Sequence, residues 1–286
     1  MIIAIASGKG GTGKTLVATS LALSFDGEGQ LLDCDVEEPN AAIFIKPETE
    51  KTIKASVPVP VVDESKCDYC GRCSEVCEYN AIVVAKSKVL VFPAMCHSCG
   101  ACTLLCPRGA LTEQPREIGR IETGRKGGLR FVPGCLNVGE AMSPPLIRQV
   151  KKLLDPGQTA IIDSPPGTSC PVITAIKGSD FCLLVTEPTP FGLNDLVLAV
   201  ETVRKLKIPF GVVINRSDLG DNKTEAYCAT ENIPVLLRVP FQKEIARGYS
   251  TGKPLIEILP EYKNKFRRVL EEISLIVKRS ANKHEG

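Results

Sequence analysis

Residues 8–15 read GKGGTGKT, between the apolar run IIAIA at residues 2–6 and a segment whose apolar Leu16, Val17, Leu21 and Leu23 fall at helical spacing. The order is strand, glycine-rich loop, helix. Glycines allow backbone N–H groups to turn inward around phosphate oxygens, and the helix N-terminus adds a field that favours negative charge. The spacing Gly8-x4-Gly13-Lys14-Thr15 satisfies the phosphate-loop pattern in its required context. Gly8, Lys9, Gly10, Gly11, Thr12, Gly13, Lys14 and Thr15 are therefore the expected nucleotide-binding set. Lys14 is expected at the β and γ phosphates and the Thr15 hydroxyl on Mg²⁺.

Lys9 adds information, because an ordinary phosphate loop does not require a lysine just before paired glycines. The stretch KGGTGKT resembles the deviant Walker A motif of the MinD/Mrp/nitrogenase-iron-protein class of ATPases. That resemblance implies ATP hydrolysis by an ATP-dependent dimer, homomeric or formed with a related ATPase. In it Lys9 of one subunit reaches phosphate held by the other, in the manner of an arginine finger. Other segments resemble the class in the same order. DCDVEEPN, after Leu31 and Leu32, resembles the first switch, implying that Asp35 orients the attacking water and that Asp33 is linked to phosphate or Mg²⁺. AIIDSPPG resembles a Walker B strand with its second switch and implies Asp163 as a magnesium carboxylate. FGVVINRSD ends a strand at Asn215, where the class contacts adenine. For the loop carboxylates, a solvated surface role is the competing reading.

Between the two switches lie CDYCGRCSEVCEYNAI and CHSCGACTLLCPRGAL, each with the spacing C-x2-C-x2-C-x3-C. Each cysteine from Cys67 to Cys77 has a counterpart 29 positions later, from Cys96 to Cys106, so the segment is an internal repeat. Three cysteines at x2 spacing wrap one corner of a cubane, and the fourth ligates the other cluster. Cys67, Cys70, Cys73 and Cys106 are thus expected to hold one 4Fe-4S cluster, and Cys77, Cys96, Cys99 and Cys102 the second. Residues 62–114 resemble bacterial two-cluster ferredoxins, with Glu78 where the first repeat would carry the proline seen at Pro107. Zinc is the competing occupant, although its four-cysteine sites commonly use separated C-x2-C pairs. His97 reads as a loop residue, while Cys34, Cys182 and Cys228 read as small buried residues.

The expected organisation is discontinuous: an ATPase domain in residues 1–60 and 116–286, interrupted by a small α+β ferredoxin-like domain in residues 61–115. Helical and apolar segments alternate through the second part. The fold class is accordingly α/β, a mostly parallel sheet with helices on both faces. A helix is expected from about Asn194 to Leu206, and a loose tail from Ser280. Tyr262, Phe266, Val269, Leu270, Ile273, Ile276 and Val277 form a helical stripe, read as core-facing in preference to membrane-bound.

A net charge of +2 without long single-sign blocks points to neither nucleic acid nor membrane, and the N-terminal apolar stretch is too short for a leader, so a cytoplasmic protein is expected. Thirteen cysteines in a reducing compartment then suit metal ligation or burial better than disulfides. Whole-chain resemblance, including VGEAMSPPLI and TEPTPFGLNDL, is to MinD/Mrp-type ATPases with an inserted ferredoxin domain. It implies ATP, Mg²⁺ and two 4Fe-4S clusters. The expected work is assembly, carriage or insertion of an iron-sulfur or related metallocluster, with an acceptor protein as partner. Electron transfer gated by ATP, with a redox partner, and a MinD-like positioning role are the alternatives. Cys170, seven positions beyond Asp163, matches a cluster-holding cysteine of the nitrogenase iron protein, implying an interfacial thiol; a small residue at a helix start is the competing reading.

Overall fold

The computed structural model describes residues 1–282. Its principal sheet runs in the order Val235–Val239 (β11), Phe210–Asn215 (β10), Phe181–Thr186 (β9), Ile2–Ala6 (β1), Ala160–Asp163 (β8), Gly29–Asp33 (β2), Leu129–Leu136 (β7), Leu111–Lys126 (β6) and Glu48–Val62 (β3). Neighbours from β11 to β7 are parallel, and β6 and β3 close the far edge antiparallel. This is the mostly parallel α/β phosphate-loop architecture expected from the sequence.

Side chains alternate across a strand, so each strand feeds two cores. In β1, Ile3 and Ile5 join the cluster containing helix α1 (Lys14–Ala22), short α2 (Ala41–Ile45) and the C-terminal helices α9 (Lys243–Ser250), α10 (Leu255–Ile258) and α11 (Glu261–Asn282). Ala4 and Ala6 join the opposite cluster, beneath α5 (Pro144–Lys151), α6 (Cys170–Ile176), α7 (Pro190–Lys205) and α8 (Lys223–Thr230). The C-terminal stripe docks: Tyr262, Phe266, Val269 and Ile273 are buried against the first core. No described helix is long and apolar enough to cross a membrane.

Two boundaries differ from the sequence reading. The helix expected from about Asn194 begins at Pro190, because the Thr189 hydroxyl accepts from the Gly192 N–H at 3.0 Å and proline suits the first helical position. At the C-terminus α11 continues through Ser280 to Asn282, since a helix nucleated on a docked stripe extends cheaply residue by residue. The remainder of the expected tail, residues 283–286, lies outside the described residues.

Strands β3 and β6 form a long hairpin-like antiparallel pair from Glu48 opposite Arg125 to Val62 opposite Leu111, with register shifts between Thr49 and Lys51 and between Ala55 and Ser56. The sheet therefore reaches Val62 and resumes at Leu111, so the expected 61–115 insert begins within the end of β3 and finishes within the start of β6. Residues 63–110 sit at the tip, with α3 (Arg72–Glu75), the β4 (Ile82–Ala85) and β5 (Lys88–Val91) hairpin, a 3-10 turn at Pro93–Met95 and α4 (Ala101–Leu104). The 29-residue repeat extends to backbone shape. Left-handed residues Tyr69, Gly71 and Asn80 of the first half correspond to Ser98, Gly100 and Gly109 of the second. The buried residues of the tip are few: Ala81, Ile82, Cys96 and Ala110.

Candidate functional site

The C-terminal ends of the parallel strands deliver nearly all the expected polar residues to one rim of the sheet, the edge where open α/β sheets bind ligands. β1 gives the phosphate loop, β2 ends at Asp33, β8 at Asp163 and β10 at Asn215. A cleft of about 460 Å³ opens there, lined among others by Lys9, Gly10, Gly11, Gly13, Lys14, Thr15, Asp35, Asn215 and Tyr249. Gly11 and Gly13 both have positive φ, and a Cβ on Gly13 would strike the Asn215 amide. Asn215 is buried and donates from Nδ2 to the Thr12 carbonyl at 2.8 Å, tying the last central strand to the loop.

Lys14 lies between two carboxylates, 2.8 Å from Asp163 and 3.3 Å from Asp35. Burial works against its charge, but Asp163 and Asp35 outweigh burial and hold the ammonium above its usual range. Burial likewise pushes the Asp35 carboxyl up to about 6; Asp163 adds to that shift and Lys14 opposes it. The arrangement fits a phosphate with a divalent cation. The buried Asp163 Oδ2 has no hydrogen-bond partner, and the Asp163 Oδ1 and Asp35 interactions with Lys14 are available for exchange. Thr12 Oγ1 is also buried without a partner.

Asp33 is placed differently. Like Asp163 it is fully buried and does not line the cleft, but both its oxygens are taken, accepting from the N–H groups of Asp35 and Ala41 at 3.1 Å each. Burial first, and the charge of Asp163 second, push its carboxyl up. Asp33 shapes the turn that presents Asp35.

Three residues in or beside the cleft, Glu187, Arg216 and Tyr249, were not singled out by the motifs. Glu187 follows β9 and is bound on both oxygens, by Lys9 Nζ at 2.7 Å and Arg216 Nη1 at 2.9 Å. Burial pushes its carboxyl up, but Lys9 and Arg216 prevail and hold it below the usual range. The clue was a charged residue ending the apolar strand FCLLVTE at the ligand-binding rim. Tyr249 forms the wall beside Asp35, its ring 4.8 Å from Phe44 of α2.

In the tip, one cavity is lined by Cys67, Cys70, Cys73 and Cys106, and a second by Cys77, Cys96, Cys99 and Cys102. Backbone N–H groups point at three of the sulfurs: Ala81 to Cys77 at 3.3 Å, Ala110 to Cys106 at 3.3 Å, and Ser98 to Cys96 at 3.4 Å. Among the described residues no group of three or more His, Cys, Asp or Glu is placed to hold a single metal ion. His97 stacks on Tyr79 with ring centroids 3.5 Å apart. Cys34, Cys182 and Cys228 are buried, while Cys170 is exposed at the start of α6 and lines neither cysteine cavity.

Residues 3–255 match the CobQ/CobB/MinD/ParA nucleotide binding domain. An uncharacterized protein of Methanocaldococcus jannaschii is 30% identical over 279 residues, which is 96% of each chain. The iron-sulfur cluster carrier protein of Pyrococcus abyssi is 21% identical over 281 residues, covering 89% of this chain and 78% of the relative. Among solved structures, the septum site-determining protein MinD of Pyrococcus horikoshii, complexed with Mg-ADP, superposes with a TM-score of 0.60 at 20% identity over 95% of each chain.

Proposed function

Because the chain belongs to the CobQ/CobB/MinD/ParA nucleotide binding domain family, we propose that it is an ATP-hydrolysing iron-sulfur protein. In this reading, ATP-dependent pairing of two subunits drives assembly, carriage or insertion of an iron-sulfur or related metallocluster. The observation that carries it is the division of eight cysteines into two cavities, each drawing its fourth residue from the other repeat, in the same chain as the Lys14 cleft. The resemblance to a protein named for iron-sulfur cluster carriage supports the choice of cargo.

The reaction asks little covalent chemistry of the protein; it asks for charge placed where phosphoryl transfer develops it. Loop N–H groups from Gly10 to Thr15 cradle the phosphates, and Lys14 leaves its carboxylates for the β and γ oxygens. Thr15 and Asp163 would hold Mg²⁺, which when bound neutralises phosphate charge. Asp35, freed from Lys14, then orients water for in-line attack. Asn215 fixes the base end against the loop. Lys9 completes the site from the partner subunit, so hydrolysis waits for pairing. In the tip, the eight cysteine thiolates would hold two 4Fe-4S clusters in the crossed sets, with N–H groups of Ala81, Ala110 and Ser98 moderating charge on three sulfurs.

Anaerobic purification with iron and sulfide counts, followed by transfer to an apo-acceptor with and without ATP, tests this reading. ATP-stimulated loss of iron from the chain and its gain by the acceptor are expected. Reduction of the acceptor with no loss of iron replaces cluster transfer by ATP-gated electron transfer. Stoichiometric zinc with no iron removes the cluster reading altogether.

A further inference from the structure

The lysine that the proposed dimer needs in trans is engaged within its own chain, and the engagement closes a circuit around the phosphate loop. Thr12 O accepts from Asn215 Nδ2 at 2.8 Å, Asn215 Oδ1 accepts from the Arg216 N–H at 3.0 Å, Arg216 Nη1 donates to Glu187 Oε2 at 2.9 Å, and Lys9 Nζ donates to Glu187 Oε1 at 2.7 Å. The circuit begins and ends on the same loop, three residues apart. It passes through the base end of the cleft, which both Asn215 and Arg216 line. Arg216 holds a left-handed backbone, φ 51°, a conformation that costs a non-glycine side chain and is maintained here by the bonds on either side of it.

The three side chains are unequally mobile. Glu187 is 11% exposed, Lys9 30% and Arg216 44%. The carboxylate is therefore the fixed member, and two cations share it. One of them, Arg216, faces the cavity where an anionic nucleotide enters.

We propose that Glu187 is a positioning residue that holds Lys9 in cis, and that nucleotide in the cleft, acting through Asn215 and Arg216, rearranges this shared carboxylate and releases Lys9. The inference deepens the proposed dimerising ATPase and rests on that reading. It supplies the step that reading leaves open, namely why a subunit without nucleotide keeps its lysine from a neighbour. It also assigns opposite signs to two neighbouring substitutions. Glu187→Gln removes the charge that holds Lys9 and keeps the shape, so Lys9 is released without nucleotide. Arg216→Gln removes the link to the base end, so Lys9 stays held even when nucleotide is bound.

Pulse acylation of Lys9, read by mass spectrometry on the full chain, tests the device. Protein is diluted until sedimentation shows a monomer, and the probes are Mg²⁺ with ADP or with a non-hydrolysable ATP analogue at saturation. The expected result is slow labelling of Lys9 in the nucleotide-free wild type, with a rise of about fivefold both in Glu187→Gln and in wild type with analogue. Arg216→Gln with analogue remains slow. Sedimentation at higher concentration should place the analogue-dependent association of Glu187→Gln at about fivefold lower protein concentration. The double variant with Lys9→Ala should return to the behaviour of Lys9→Ala alone. Equal labelling of wild type and Glu187→Gln overturns the proposal, as does release of Lys9 by analogue in Arg216→Gln. Weaker association of a folded Glu187→Gln also overturns it. If wild type never associates with analogue, the dimer reading fails, while the labelling arms still decide whether Glu187 holds Lys9.

Discussion

The cleft at the rim of the sheet and the cysteine tip at the end of the β3 and β6 pair differ in what holds them in shape. Around the cleft, Lys14, Asp33, Asp163, Asn215 and Glu187 are all buried and bound to one another, to neighbouring side chains or to backbone. They rest on strands whose residues are almost wholly buried on both faces. In the tip, only Ala81, Ile82, Cys96 and Ala110 are buried, fewer apolar groups than residues 63–110 need to offset their own ordering. The cleft is organised by the fold before a ligand arrives. On the proposed reading the tip would depend on its ligand, because metal binding free energy becomes folding free energy where a core is small.

The largest effect expected from breaking this contrast is at the cleft. Lys14→Ala leaves Asp163 and Asp35 as unopposed neighbouring carboxylates and removes the cation at the transferring phosphate. ATP turnover, followed as phosphate release, should fall by about a thousandfold. Iron content should be unchanged, and a parallel loss of iron would show that the two regions do not fold independently.

What could be read from the sequence divides along the same line. The phosphate loop and the cysteine repeat were legible because their constraints are local: glycine at positions of positive φ in one, ligand spacing in the other. Asp163 and Asn215 were legible through strands ending in a polar residue. The inward turn of Asp33 was not, because it depends on where Ala41 N–H falls after the chain has turned. Glu187 and Arg216 were not, because their meaning lies in a pairing between β9, β10 and the loop of β1. The crossed grouping read from the cysteine spacing coincides with the lining of the two cavities, whereas the positions of the sulfurs within them depend on how the tip folds and could not be read from spacing.

At the tip, Cys70→Ser and Cys99→Ser should each abolish one cluster and leave the other, so each variant retains about half the iron. The pair sharpens the comparison by asking whether crossed ligation makes the two cavities depend on one another. Loss of all iron from either variant would mean that they do. Chelation should render residues 63–110 sensitive to protease at a concentration of denaturant that leaves the sheet intact; simultaneous cleavage of both regions would contradict the account of a metal-dependent tip.

Phe266→Ala tests the other side. This ring is fully buried beneath the sheet, and its removal should destabilise the body by about 3 kcal/mol. In a denaturant titration the midpoint should fall with the slope unchanged. The iron chromophore should be lost at the same midpoint as the body only if the tip relies on the sheet for support.

The smallest effect concerns pH and the nucleotide-free cleft. The Asp35 carboxyl, pushed up to about 6 chiefly by burial, titrates about two units above an unfolded aspartate. Between pH 6 and 4 the folded chain binds a proton here that the unfolded chain does not, so this group stabilises folding as pH falls and the gain is lost as pH rises through 6. Partial exposure screens the interaction, leaving an expected contribution of about 1 kcal/mol. The burial of Asp33 acts in the same direction, so Asp35→Asn should reduce the acid stabilisation without abolishing it. Thermal melts of wild type and Asp35→Asn across this window provide the measurement. An unchanged slope would show that Asp35 carries no strain in the empty cleft. A reduced slope would mean that part of the burial which organises the cleft is stored as an unfavourable carboxylate, relieved when a cation binds.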